Sequence, residues 1–192
     1  MSIKINEQRA RRLRQVLASD SVDQQADSWL DELKQVDPEV ETSRMRLLRL
    51  GRQLNRMLTT IAGRHGMTLG DWETLSVLRR SGRPYALSPT ALARALEVTS
   101  GTVSVRIDRL QKGGLIKESK GGTDGRSRPV ALTPAGHRRW REATADRLAL
   151  ESRLLSRALN RHEITELNGL LRRVMLSFEA EFGPPPRSSG TE

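Results

Sequence analysis

A chain of 192 residues, 36% hydrophobic but only 3% aromatic, can bury a core, and that core must be aliphatic. A formal charge of +10 favours an anionic partner, while the lack of any cysteine excludes a disulfide framework, thiolate catalysis and cysteine-ligated zinc. No apolar run approaches the thickness of a bilayer, and the start, Met1-Ser2-Ile3-Lys4, has no signal-peptide profile, so a cytoplasmic location is expected.

Residues 3–18 read as a basic helix with a modest apolar strip of Leu13, Val16 and Leu17. Arginines 9, 11, 12 and 14 there are either a DNA-phosphate arm or a solvated one. A second helix is expected over 22–36, with Trp29, Leu30, Leu33 and Val36 on one face, stopping before Asp37-Pro38 because the residue before proline disfavours helix. The third, over 41–64, carries a broad stripe of Met45, Leu48, Leu54, Met57, Leu58 and Ile61 and is too long for one small core to cover, so part of it should pack on a second copy. A helix over 69–80 puts Leu69, Trp72, Leu75 and Leu78 in register, and 81–87 reads as a loop.

Ser88 is a predicted N-cap and Pro89 sits at the first helical position, where its missing N–H costs nothing. Leu92, Ala95 and Leu96 give that short helix its buried face, and after a turn at 97–99 a second helix opens on Thr99 or Ser100. Val103, Ile107 and Leu110 form its inward stripe, and Gly101, Thr102, Ser104 and Val105 lie opposite. A helix that enters a groove about 12 Å wide needs a slim face able to hydrogen-bond. The pair therefore reads as a helix-turn-helix, with Ser88, Thr90, Ser100, Gly101, Thr102, Ser104, Val105 and Arg109 as expected DNA contacts. Strands over 115–120 and 130–132 flank a Gly-rich tip carrying Arg126 and Arg128, which reads as a wing whose arginines reach a phosphate backbone or a narrow minor groove.

A long charged helix is expected over 134–159. Asn160 with Glu163 forms a capping-box pattern, opening a last helix over 161–182 whose apolar residues include Leu167, Leu171, Val174 and Phe178. Such a surface needs a partner, and self-association through the two chain ends is the economical one. The expected organisation is a 1–40 extension, a 41–66 dimerisation helix, a 67–136 winged helix-turn-helix, 137–182 dimerisation helices and a 183–192 disordered tail. The fold class is mainly α, an α+β winged helix with a helical dimerisation region from both ends.

The helix-turn-helix followed by Asp-Arg-Leu-Gln-Lys-Gly-Gly-Leu-Ile (108–116), Asp-Gly-Arg-Ser (124–127) and Leu-Thr-Pro-Ala-Gly (132–136) resembles the MarR family of bacterial transcription factors. The resemblance covers residues 42 to 180. It implies a homodimer on a palindromic operator of double-stranded DNA, acting as a repressor released by a small ligand. It also implies that Arg126 enters the minor groove, oriented by Asp124.

Arg106 flanks the buried stripe and needs a carboxylate or a bound anion as partner. Together with the N-terminal extension, Trp29, Glu73 and Arg106 resemble the ligand-binding set of the urate-responsive MarR branch. Glu73 stands where that branch has aspartate, and Glu118 where it has a second arginine. Arg106 therefore either helps hold an effector (urate, another purine or an organic acid) or pairs with Glu73 or Glu118 to lock the helix in place. No cofactor or metal is expected, since His65, His137 and His162 lack ligand spacing and lie on helix ends or polar faces. Nor is an enzyme, because no nucleophile, metal cluster or phosphate loop is present. The alternative function is an architectural or interaction module without a ligand switch.

Overall fold

In a computed structural model of the chain, the described residues are 19–32, 35–119 and 128–183. The expected basic arm, the wing tip with Asp124 and Arg126, and residues 184–192 of the expected tail lie outside them. The chain forms two compact units, dividing between Met57 and Leu58.

In the first unit, helix α1 (Asp23–Glu32) is opened by Asp20, whose Oδ1 accepts from the N–H groups of Val22 and Asp23 at 2.7 and 3.1 Å. Val22 and Ala26 are its buried residues. The helix expected to reach residue 36 has given way to a turn by Gln35. Helix α2 (Pro38–Arg64) starts three residues earlier than the apolar spacing indicated, because Pro38 is at its first turn and Asp37 accepts from the Glu39 N–H at 2.9 Å. Arginines on α2 reach α1: Arg46 bonds Asp20 at 2.8 Å and also Asp23, and Arg49 bonds Ser21 at 2.6 Å.

The second unit begins inside α2 and continues with α3 (Leu69–Arg80), β1 (Ala86–Leu87), α4 (Pro89–Leu96), α5 (Ser100–Lys112), β2 (Ile116–Glu118), β3 (Val130–Leu132), α6 (Pro134–Ala158) and α7 (Arg161–Phe182). Its core is aliphatic as the composition required, built on Leu75, Leu78, Leu92, Leu96, Val103 and Leu110. The three strands form one antiparallel sheet in the order β1-β3-β2, with Ala86 opposite Ala131 and Ile116 opposite Leu132. Residues 81–87, expected as a loop, thus end in a strand, too short at two residues for alternation to betray it.

Thr133 joins three elements. Its hydroxyl donates to the Gly114 carbonyl at 2.7 Å, just past the end of α5, and accepts from the Gly136 N–H at 3.0 Å as the N-cap of α6. Its own N–H donates to the Leu115 carbonyl at 3.1 Å, next to β2. Gly136 lets α6 come this close, since a Cβ there would lie 2.0 Å from the Leu115 carbonyl oxygen. Helix α7 has the Asn160–Glu163 capping box and no buried residue. No helix among the described residues is long and apolar enough to cross a membrane.

Candidate nucleic-acid interface

Helix α5 is capped by Thr99, whose hydroxyl accepts from the Thr102 N–H at 3.2 Å. Val103 and Leu110 face the core, whereas Ser100, Gly101, Ser104 and Val105 are exposed and Thr102 is half-buried. Val105 is 61% exposed, an apolar group among hydroxyls on a face with no long side chain to block approach. The preceding helix α4 is capped by a half-buried Ser88, which accepts from the Ala91 N–H at 3.2 Å, while Thr90 is exposed. A surface of small donors and acceptors beside an apolar contact suits the base edges and thymine methyls of a major groove.

Two arginines on the other side of α5 are tied to the first turn of α3. Arg109, expected on sequence among the DNA contacts, instead has its guanidinium on Asp71: Nε donates to Oδ2 at 2.8 Å, and Nη2 to Oδ1 at 2.7 Å. Nη2 also reaches the Thr68 hydroxyl at 3.1 Å. Asp71 is buried, and its carboxylate holds the Arg109 guanidinium above the usual arginine range. Arg106 lies half-buried across Gly70, donating to its carbonyl at 3.3 Å and sitting 3.5 Å from the Glu73 carboxylate. A Cβ at Gly70 would lie 2.5 Å from the Arg106 Cζ, so glycine there makes room for the guanidinium. Burial pushes the Glu73 carboxyl up, with Arg106 opposing.

Of the two carboxylates that the sequence offered Arg106, it takes Glu73. Glu118 pairs instead with Arg128 at 2.9 Å on the exposed stem of the wing. Of the resemblance-implied ligand set, Glu73 and Arg106 come together in the second unit. Trp29 belongs to the first, where its indole N–H donates to Glu41 at 2.9 Å. Arg44 and that indole bond hold Glu41 down at about 2.

The histidines are less uniformly solvated than their helix-end positions suggested. His65 meets Asp146 at 2.9 Å, and His137 stands edge-on to Tyr85 with its pKa lowered, first by burial and then by Arg79 and Arg141. Sequence reasoning missed the polar layer under Trp140, whose indole donates to Ser76 Oγ at 2.9 Å. Its signal was Ser76, a small polar residue directly between the apolar residues Leu75 and Val77. Among the described residues no cluster of three or more histidine or acidic side chains could hold a metal.

Residues 65–127, from the end of α2 into the wing, match the MarR family. The HTH-type transcriptional regulator PecS of Dickeya dadantii (strain 3937) is 29% identical over 146 residues, spanning 76% of this chain and 87% of PecS. The crystal structure of YusO from Bacillus subtilis superposes with a TM-score of 0.61 at 23% identity, covering 72% of this chain and 96% of YusO. Sco3205 from Streptomyces coelicolor, a MarR family transcriptional regulator solved in complex with DNA, gives a TM-score of 0.60 at 21% identity over 72% of this chain and 87% of its own. The helix-turn-helix, the three-stranded wing sheet and the long flanking helices are those of a winged helix, and within this fold residues 65–127 are similar to the MarR family.

Proposed function

We propose that the protein is a DNA-binding transcriptional regulator that reads a palindromic operator as a homodimer, represses, and is released by a small effector. The observation that carries the reading is the exposed, short-side-chain face of Ser100, Gly101, Ser104 and Val105 at the N-terminal end of α5. Dimerisation is supported by α7, which leaves Leu170, Val174, Met175 and Phe178 exposed. In a dimer the two recognition helices must sit about 34–36 Å apart to enter successive major grooves. Arg126, at the wing tip and oriented by Asp124, is assigned the minor groove on the family resemblance.

Effector release is assigned to Arg106, because its guanidinium is half-buried beside a carboxyl that burial already disfavours as an anion. An anionic or hydrogen-bonding ligand that takes Arg106 from Glu73 changes how α5 sits on α3. Trp29 and the choice among urate, other purines and organic acids belong to the same proposal. The test is a mobility-shift assay on the upstream DNA of the protein's own gene, with a panel of purines and organic acids. Wild type should be released by a panel member, and Arg106→Ala should bind DNA with a blunted response; unchanged release from the variant refutes the assignment. Thr102→Ala or Ser104→Ala should change base preference by about 1–3 kcal/mol per affected pair. Equal affinity for all sequences at moderate salt would make the protein an architectural module instead.

A further inference from the structure

We infer that Arg109 and Asp71 set the tilt of the recognition helix, Arg109 acting as a positioning residue rather than a phosphate contact. The inference rests on the DNA-reading function proposed above. Arg109 stands nine residues after Ser100 and four after Val105, about 13.5 and 6 Å further along the helix than the two ends of the exposed reading face. The apolar contacts of Val103 and Leu110 hold α5 against the core, but such contacts are non-directional and tolerate rotation. The Asp71 pair does not. Two guanidinium nitrogens meet two carboxylate oxygens at 2.8 and 2.7 Å, and Nη2 also donates to Thr68 Oγ1.

The carboxylate is itself immobile. Asp71 is 2% exposed, it accepts from the Thr68 N–H at 3.0 Å, and its own N–H donates to Thr68 Oγ1 at 3.1 Å, the capping box of α3. A negative charge in that first turn is also favoured by the helix dipole. A phosphate could use the Arg109 fork only by displacing a buried carboxylate that, among the described residues, is paired with no other cation. Asp71 is too enclosed to touch DNA, so any effect of its substitution on DNA reading must act through Arg109 and the helix.

The experiment uses the full-length protein and two duplexes: one enriched from a random pool by wild type, and a scrambled duplex of equal length, each titrated with salt. Arg109→Lys keeps the charge but loses the fork, and Asp71→Asn keeps an acceptor for the cap but loses the charge. Each should weaken enriched-duplex binding about tenfold, the loss of roughly one well-placed base contact, with binding to the scrambled duplex unchanged. Arg109→Gln should do the same without altering the salt slope. The inference is overturned if Arg109→Lys and Asp71→Asn bind as wild type, or if Arg109→Gln weakens both duplexes alike and lowers the slope by about 0.9, the mark of one lost phosphate contact. Thermal melting of each variant separates loss of aim from loss of fold, because a merely structural role lowers binding to both duplexes as the folded fraction falls. A wild type that binds both duplexes alike overturns the DNA-reading function itself, and the clamp's role with it.

Discussion

Glu41 is a carboxylate that its neighbours keep charged. The Arg44 guanidinium lies 2.5 Å away, and the Trp29 indole donates from the other side. Because Glu41 falls from 4.5 to about 2 in the folded chain, its contribution to stability is present above pH 4.5 and is lost as pH falls toward 2. With Trp72 and Trp140 replaced by phenylalanine, Trp29 emission should hold steady through the ordinary glutamate range and shift only near pH 2. Arg44→Ala should move that midpoint up toward 4.5, and a parent midpoint already there would contradict the pairing. At this scale Arg106 was legible in the sequence because a cation interrupts an apolar helical spacing. The Arg109–Asp71 pair was not. Its partners are 38 residues apart, and nothing in a capping aspartate says which cation will meet it.

Helix termini carry their own chemistry, and it is readable. Ser88 and Asn160 accept at the N-termini they were expected to cap, Thr99 takes the cap left open between it and Ser100, and Thr133 caps α6, since a short side-chain oxygen before a helix has few other uses. Packing between elements is less readable. Gly136, after Pro134-Ala135, looks in sequence like any glycine in a first helical turn, yet it is where α6 meets the Leu115 carbonyl. Gly136→Ala should cost about 1–3 kcal/mol in urea unfolding, the usual range for overpacking. Gly63→Ala, with nothing within 4 Å of its Cβ, should be neutral or stabilise by up to about 1 kcal/mol. Equal effects at the two sites would show that the close approach is absent. Strand β1 escaped because its two residues owe their conformation to pairing with β3, Ala86 with Ala131 and Leu87 with Val130, information held far downstream.

For the molecule as a whole, the spacing of Leu167, Leu171, Val174 and Phe178 announced a surface in need of cover, and α7 presents all four at least partly open to solvent. What the spacing could not give is the geometry of the cover, which under the proposed self-association depends on a second copy. Leu171→Glu with Phe178→Glu should turn a dimer into a monomer in sedimentation and abolish tight binding to a two-half-site duplex, while a single half-site is still bound weakly. A wild type that sediments as a monomer, or a double variant that stays paired, would contradict self-association through this helix.

The Thr133 hydroxyl gives the assembly its mechanics. One oxygen grips the tail of α5 and the root of α6, while the same residue's amide holds the chain entering β2. A displacement at the root of α6 therefore reaches the end of α5 and the chain entering β2 together, through the bonds of a single residue.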